Sequence, residues 1–387
     1  MTNPLFLEID NTPRDYAWGL VDGVAHVRGT APTGRKEAEL WLGAHPSAPS
    51  RIVGGAPWST LEAWESETGA TLPFLLKVLC AAEPLSLQAH PSTAQAEEGF
   101  DRENALGIPL DAPHRTYRDP HAKPELIVAL HDGFEALCGF RPAAEVQADL
   151  QTLAGLIDAA PDASAALQTW QQHLAGADGI RRAFLWLLSG DESLPALVTA
   201  VTAVAERDAR FALLARIAEA HPADPGILGA LMLQHLTLRA GEALWLPAGN
   251  IHAYLRGSGI ELMGPSDNVM RGGLTGKHID TVELDRVLDA REGGDPRLAP
   301  EVVSDGVRVF RPVERGTDDD PGFELYAIES DGEIVLDGAG IALATDGEFE
   351  LASDDQRIPM PRGRAVLISR PATVRVTGAG RLFVAAG

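Results

Sequence analysis

The sequence predicts a mainly β protein in which a helical segment interrupts a first β domain and a second antiparallel domain, a sandwich or jelly roll, follows. Three observations support this fold class: short alternating apolar segments before residue 141, a helical period from 141 to 235, and short strands with Gly and Asp turns after 293. A chain of 387 residues is also too long for one ordinary hydrophobic core.

We therefore divide the chain into four segments. Residues 1–140 and 236–292 are predicted to form the two parts of the first β domain, residues 141–235 a helical insertion, and residues 293–387 the C-terminal sandwich or jelly roll. The predicted helices of the insertion are 145–157, 163–174, 179–188, 194–218 and 227–234. The predicted C-terminal strands are 307–310, 323–328, 333–336, 347–351, 364–368 and 373–376.

The C-terminal segment contains neither histidine nor cysteine. Because imidazole and thiolate are common ligands of transition metals in proteins, this segment is not expected to hold a metal site of that kind. We predict that its role is structural.

Composition restricts the possible partners and location of the chain. With 32 basic and 55 acidic residues the formal charge is -23, which argues against nucleic acid and against an anionic membrane surface. No apolar run reaches the length of about 18 residues that suggests a membrane span, and the first residues lack the pattern of a targeting segment. We expect a soluble cytoplasmic protein, in which Cys80 and Cys138 are buried thiols in a reducing compartment.

The densest group of polar residues lies in residues 241–280. A strand there leads into His252 at the edge of a turn, where a metal ligand can face a cavity. Gly257 and Ser258 predict a two-residue hairpin turn, whose register would place His252 and Glu261 on one face of the sheet. The residues that follow supply further charged groups: Asp267, Arg271 and Lys277.

Two earlier segments show a similar alternation. Ser86, Gln88 and His90 alternate with apolar residues and therefore share one face of a strand. The same spacing places a second set on one face, just before an apolar strand: His121, Lys123 and Glu125. Two imidazoles, a carboxylate and an amide oxygen form a mixed N/O set, which suits a divalent first-row metal ion, zinc most readily.

Several motifs together resemble those of one enzyme family. They are YAWG at 16–19, ELWLGAHPSAPS at 39–50, QAHP, KPEL, AGNIHAYL, GIELM and SDNVMRGGLT. The combination runs through most of residues 1–280 and resembles the type I mannose-6-phosphate isomerases, which implies that the first β domain is a catalytic jelly roll of the cupin type. The resemblance also implies one zinc ion per chain with four ligands: Gln88, His90, Glu125 and His252.

The reaction that the resemblance implies is the interconversion of mannose 6-phosphate and fructose 6-phosphate through a cis-enediol. Arg271 would stabilise the developing oxyanion. Since the chain as a whole is acidic, the phosphate must meet a local cationic cluster, and Lys277, Ser86 or backbone donors of the Gly-rich loop are the candidates. Trp18 is predicted in the wall of the substrate pocket.

The chain departs from the family at the proton-transfer site. Many members have histidine directly before the lysine of KPE, whereas Ala122 stands there in this sequence. We therefore predict Lys123 as the general base. Glu261 and Asp267 are the acidic alternatives, and the displaced His121 is expected to contribute less.

Two other functions fit the same residues. Two histidines and a glutamate also form the metal set of non-haem Fe(II) enzymes, so a cupin oxygenase is one alternative. A cupin that binds sugar phosphate without catalysis is the other. In each case the expected partner is a small molecule, and the chain is expected to be a monomer or a weak homo-oligomer.

Overall fold

The computed structural model describes residues 4–157, 161–313, 320–354 and 356–387. The prediction of a mainly β protein with a helical insertion is confirmed. Before the insertion the elements are β1 (Phe6–Asp10), α1 (Gly23–Arg28), β2 (Glu39–Leu42), β3 (Arg51–Ile52), α2 (Leu61–Thr68), β4 (Leu75–Ala81), β5 (Leu87–Ala89), α3 (Thr93–Ala105), β6 (Glu125–Ala129) and β7 (Phe134–Phe140).

The helical insertion and the strands after it complete the first half of the architecture. The helices are α4 (Ala143–Leu156), α5 (Pro161–Leu174), α6 (Gly179–Leu187), α7 (Leu194–Ala205), α8 (Ala212–Ala220) and α9 (Gly226–Leu231), with a short 3-10 helix at Ala209–Phe211. The following elements are β8 (Leu233–Leu238), β9 (Ala243–Leu246), β10 (His252–Met263), β11 (Met270–Gly273), α10 (Thr281–Val287) and β12 (Arg297–Leu298).

The remaining strands form the C-terminal part. They are β13 (Glu301–Ser304), β14 (Val307–Phe310), β15 (Glu324–Ile328), β16 (Gly332–Leu336), β17 (Gly340–Ser353), β18 (Gln356–Pro361), β19 (Ala365–Ile368) and β20 (Ala372–Ala386). The six strands predicted here are all present, but β17 and β20 are much longer than predicted, and β13 and β18 were not predicted. β17 and β20 pair along most of their lengths, so long-range pairing extends them through glycines that read locally as turns.

Two antiparallel sheets organise these strands. Sheet I has the order β11-β5-β10-β6-β9-β12, with β4 and β7 also paired to β10. Sheet II has the order β13-β14-β15-β20-β17-β19-β1-β3. Since β1 and β3 belong to sheet II, strand pairing crosses the predicted boundary between residues 1–140 and the C-terminal jelly roll. The division of the chain into domains stays a prediction.

Strand β10 is the centre of sheet I. The prediction of a hairpin turn at Gly257 and Ser258 is wrong. The strand continues through both residues, pairing with β7 in its first half and with β4 and β6 in its second. A bulge between Tyr254 and Arg256 inserts one residue, which reverses the alternation of side chains beyond it. His252 and Glu261 therefore share a face, as predicted, because of a bulge and not because of a turn.

Gly257 follows this bulge directly, in a conformation that favours glycine. Its φ is 117°, and an added Cβ would lie 2.8 Å from Cδ2 of Phe134. Glycine is thus required by the backbone angle and by the close approach of Phe134, whereas the sequence pattern alone indicated a turn.

Two helices of the insertion differ from their predicted bounds. The predicted helix 194–218 is interrupted after Ala205, where Asp208 takes an extended conformation and its side chain accepts a hydrogen bond from the Arg210 amide. The predicted helix 227–234 ends at Leu231 because the next residues pair with β7 as β8. In both cases a cap or a sheet partner overrides local helical periodicity.

The helices pack on sheet I. One hydrophobic core contains the buried faces of α4 to α9 together with Leu87, Ala253, Met270 and Leu274 from the sheet strands and the residue after β11. Cys80 and Cys138 are free, buried thiols, as predicted. No helix in the described ranges is both long and apolar enough to span a membrane.

A glycine in α3 gives a stability prediction. A Cβ at Gly99 would lie 2.3 Å from ring atoms of Tyr117, whose hydroxyl donates to Glu283. Overpacking of this kind costs about 1–3 kcal/mol, more than the roughly 1 kcal/mol that alanine gains over glycine in a helix. We expect Gly99→Ala to lower the melting temperature.

The matched control is Gly155→Ala in α4, where nothing lies within 4 Å of the added Cβ. This variant should melt at the same temperature as the parent protein or slightly higher. Differential scanning calorimetry of both variants makes the comparison, and an unchanged Gly99→Ala protein would show that the α3 contact with Tyr117 is looser than described.

Candidate metal centre and active site

Three buried side chains meet at one point on sheet I. His90 follows β5, Glu125 begins β6 and His252 begins β10, and each is about 1% exposed. One ligand atom from each residue lies within 4.8 Å of the other two. Because the three atoms come from three separate strands, their spacing is fixed by the sheet and not by local sequence.

The backbone around the two histidines prepares them as ligands. His90 Nδ1 lies 2.7 Å from the Asn268 carbonyl oxygen, and His252 Nδ1 lies 3.0 Å from that of Asn250. A carbonyl only accepts, so Nδ1 carries the hydrogen in each ring and Nε2 keeps its lone pair. Each Nε2 therefore has no hydrogen to donate to the Glu125 oxygens 3.3 and 3.2 Å away.

Three polar atoms consequently remain without a hydrogen-bond partner: His90 Nε2, His252 Nε2 and Glu125 Oε2. Buried polar atoms without partners are costly, and a shared cation would satisfy all three at once. Burial lowers the pKa of His90 to about 4, which keeps the imidazole neutral as a ligand must be. The carboxyl of Glu125 is also buried, but opposing interactions, of which the charge of Lys123 is the largest, lower its pKa well below the ordinary value. The donor set fits one divalent metal ion.

Gln88 lies beside this cluster in the sheet. It is directly opposite His252 on one neighbouring strand and directly opposite Arg271 on the other. Residues directly opposite each other in a sheet point to the same side, so Arg271, Gln88 and His252 form a row across β11, β5 and β10.

Two residues of this row, Gln88 and Arg271, line a cavity of about 520 Å³. The cavity brings together most of the residues predicted for the site, namely Trp18, Ser86, Gln88, Lys123, Glu125, Glu261, Arg271 and Lys277. The other two predicted ligands, His90 and His252, lie next to Glu125 and are nearly inaccessible. Asp267 is outside the lining: its carboxylate is 3.4 Å from His45 Nε2, and the hydrogen bond from His45 lowers its pKa.

Lys123 and His121 occupy different environments, although alternation placed them on one face. Lys123 is buried and its Nζ is 3.1 Å from Glu125 Oε1. His121 is exposed, and its backbone carbonyl accepts hydrogen bonds from Ser266 and Asn268. The reason is that β6 begins only at Glu125, so the residues before it follow a loop and not the strand.

One end of the cavity is cationic. Arg271 and Lys277 both line it, and no carboxylate of the described residues is within ion-pair distance of either. Burial lowers the pKa of both groups, and the charge of Arg118 lowers both further. Cations that repel one another without a counter-charge are suited to bind an anion.

Sequence reasoning missed a buried ion cluster beside the metal centre. Lys77 Nζ lies 3.2 Å from Glu261 and 3.9 Å from Glu39, and all three side chains line the cavity. Burial opposes the charge of Lys77, but the carboxylates of Glu261, Glu39 and Glu125 outweigh it and raise its pKa. The sequence did contain a signal, because Lys77 is the one charged residue in the apolar strand Leu75–Ala81. His221 also lines the cavity.

Comparison with known proteins agrees with this geometry. Residues 6–143 match the family model described as phosphomannose isomerase type I, catalytic domain. The chain is 36% identical to the mannose-6-phosphate isomerase of Salmonella typhimurium, over 96% of this chain and 97% of the relative, and 35% identical to that of Escherichia coli over the same shares.

Solved structures give the same result for the fold. A crystal structure of mannose 6-phosphate isomerase from Salmonella typhimurium, bound to substrate (F6P) and zinc, superposes with a TM-score of 0.87 at 33% identity. The match covers 99% of this chain and all of that one. With a relative above 30% identity along nearly its whole length, a matching catalytic-domain model and a shared fold, the chain belongs to the type I phosphomannose isomerase family.

Proposed function

We propose that the protein interconverts D-mannose 6-phosphate and D-fructose 6-phosphate in a zinc-dependent aldose-ketose isomerisation. The observation that carries this proposal is the set of three buried donor atoms without hydrogen-bond partners beside a cavity with one cationic end. A phosphorylated sugar has the two features that such a cavity requires, oxygen atoms for a metal ion and an anionic group for the cations.

Gln88, His90, Glu125 and His252 would hold one zinc ion. Two imidazoles, one amide oxygen and one carboxylate leave a net charge of about +1 on the site, so the ion stays electrophilic. When bound, the ion would supply Lewis-acid polarisation of the sugar carbonyl. Arg271, which lies in the same row across the sheet, would add a fixed cation next to the oxygen on which negative charge develops.

Lys123 would carry the proton. As a neutral amine, its Nζ would accept the proton from C2 of the open-chain aldose, become an ammonium and return that proton to C1 of the resulting cis-enediol, while the proton on O2 passes to O1, so that no atom is gained or lost. Of the two carboxylate alternatives, Glu261 lines the cavity and Asp267 is engaged by His45. Glu261 is therefore the better placed of the two.

The phosphate would lie at the cationic end. Lys277 and Ser86 both line the cavity, and Gly276 of the Gly-rich segment lines it next to Lys277. Trp18 also lines the cavity and would limit the space open to the sugar.

Metal removal tests the proposal. Because His90 Nε2, His252 Nε2 and Glu125 Oε2 are buried without a hydrogen-bond partner, we expect the purified protein to contain about one zinc per chain, to lose isomerase activity on chelation and to regain it on zinc addition. A coupled assay of fructose 6-phosphate formation, run beside metal analysis, measures this. Full activity in verified metal-free protein would contradict it, and oxygen uptake by the iron-loaded protein would favour the oxygenase alternative.

A further inference from the structure

The loop that carries Lys277 is attached to the helical insertion. We call residues 272–277, which end β11 and follow it, the rim loop; four of its residues line the cavity, Leu274, Thr275, Gly276 and Lys277. The contacts that hold this loop come from the segment between α8 and α9. Three independent observations describe the attachment.

The first observation is a set of hydrogen bonds to Asp224. Its Oδ1 accepts from the amides of Gly226 at 2.7 Å and Leu274 at 3.0 Å, and its Oδ2 accepts from the amide of Thr275 at 2.9 Å. Thr275 Oγ1 in turn accepts from the amide of Lys277 at 3.1 Å. A continuous chain of hydrogen bonds thus runs from one carboxylate in the insertion to the backbone of Lys277.

The second observation is the conformation of Leu274. Its φ is 55°, in the left-handed region that a residue with a branched side chain rarely adopts. The side chain is nevertheless 1% exposed within the core formed by the helices. Such a conformation persists only where surrounding contacts determine it, and here those contacts are the Asp224 hydrogen bonds and the helical core.

The third observation is a backbone contact without room for a side chain. A Cβ on Gly226 would lie 2.6 Å from the Leu274 nitrogen, and a Cβ on Gly273 would lie 2.7 Å from the Cα of Gly226. The rim loop and the start of α9 therefore touch through their main chains, which fixes the distance between them.

We propose that Asp224 is a positioning residue that holds the rim loop in the geometry needed to bind the substrate phosphate. On this view the helical insertion contributes to the site without a side chain that touches the reacting carbons. This inference rests on the proposed function. It assigns Asp224 an effect on phosphate affinity, with the metal centre and the proton-transfer group unchanged.

Two variants separate positioning from charge. Asp224→Ala removes all three hydrogen bonds to the carboxylate. Asp224→Asn keeps an acceptor for Gly226 and Leu274 and presents an amide hydrogen to the Thr275 amide, so only one bond is lost. If geometry matters, the affinity for phosphate should follow the order Asp, Asn, Ala. If the negative charge merely repels phosphate, both variants should bind phosphate more tightly than the parent protein.

The control is Asp191→Ala. Asp191 also lies in the helical insertion and accepts a hydrogen bond from a nearby backbone amide, that of Ser193, but the hydrogen-bond partners of its side chain, Trp186 and Ser193, both lie outside the rim loop. It therefore reproduces the local loss of a turn-stabilising carboxylate without any contact to the rim loop.

The experiment measures KM and kcat for mannose 6-phosphate, inorganic phosphate affinity by calorimetry, and zinc content. We expect Asp224→Ala to raise KM and the phosphate dissociation constant roughly tenfold or more, with kcat changed less than threefold or so and zinc content unchanged. For Asp224→Asn, KM and the phosphate dissociation constant should fall between those of Asp224→Ala and those of the parent protein. For Asp191→Ala, both values should equal those of the parent protein.

Three results would overturn the inference: unchanged phosphate affinity in Asp224→Ala, tighter binding in both variants, or an equal loss in Asp191→Ala. Failure of the proposed function is a separate result, because it would be seen as absent turnover in the parent protein. The calorimetric comparison with inorganic phosphate remains decisive for Asp224 in that case.

Discussion

Replacement of His252 by alanine is expected to abolish tight zinc binding and, with it, isomerase activity. His252 supplies one of three buried donor atoms, and its loss leaves the proposed site with one carboxylate, Glu125, and two neutral ligands, His90 and Gln88. Loss of a directly bound imidazole should cost more than the roughly 10–100-fold in affinity that changes to outer-shell partners cost. Zinc content after dialysis and competition with a chromogenic chelator measure the effect.

Gln88→Ala is the matched comparison, because Gln88 lies directly opposite His252 in the sheet. An amide oxygen is a weaker donor for zinc than imidazole, so this variant should bind zinc less tightly yet keep part of its activity on zinc addition. The proposed ligand set would be wrong if the Gln88 variant lost its zinc while the His252 variant retained it.

Replacement of Lys123 by methionine is expected to lower kcat by roughly 100-fold or more, in the range that general acid-base catalysis contributes. Lys123 is buried beside Glu125 and lines the cavity, and Ala122 leaves no imidazole at the preceding position. Methionine retains much of the side-chain volume. Zinc content should stay near one per chain, since the ammonium group is not a ligand.

His121→Ala provides the control for this prediction. His121 is exposed, outside the cavity lining, and binds its neighbours through backbone atoms, so its side chain should contribute little to turnover. Steady-state kinetics on both variants decide the matter. An inactive His121 variant together with a nearly normal Lys123 variant would show that the displaced histidine transfers the proton.

The parts of the fold that sequence predicted are those that depend on local pattern. Strand β14 matches its predicted bounds, because alternation of buried and exposed residues over Val307–Phe310 needs no information from elsewhere. The long strands β17 and β20 were predicted only in part, since their glycine-containing middles are extended by pairing with each other. The position of β1 in sheet II depends on a partner at the far end of the chain.

In the site, too, the sequence predicted the features that depend on local pattern and not those that depend on distant partners. Residues at period-2 spacing, such as Ser86 and Gln88, were expected on one face and both line the cavity. The cluster around Lys77 was not predicted, because a charged residue within an apolar strand is informative only when its carboxylate partners on other strands are known. The role of Asp224 was equally hidden, since its partners Leu274 and Thr275 are about fifty positions away.

The pairing of β1 with β19 has a consequence for synthesis of the chain. Ser369 Oγ donates to the Pro4 carbonyl across a separation of 365 residues. At a translation rate of roughly 5–20 residues per second, β1 waits about 20–70 seconds on the ribosome for its partner strand. During that time its apolar edge is open to wrong partners. Sheet II is therefore completed only after β19 and β20 have both been translated, and a nascent chain that stalls earlier leaves the β19 edge of β1 unpaired.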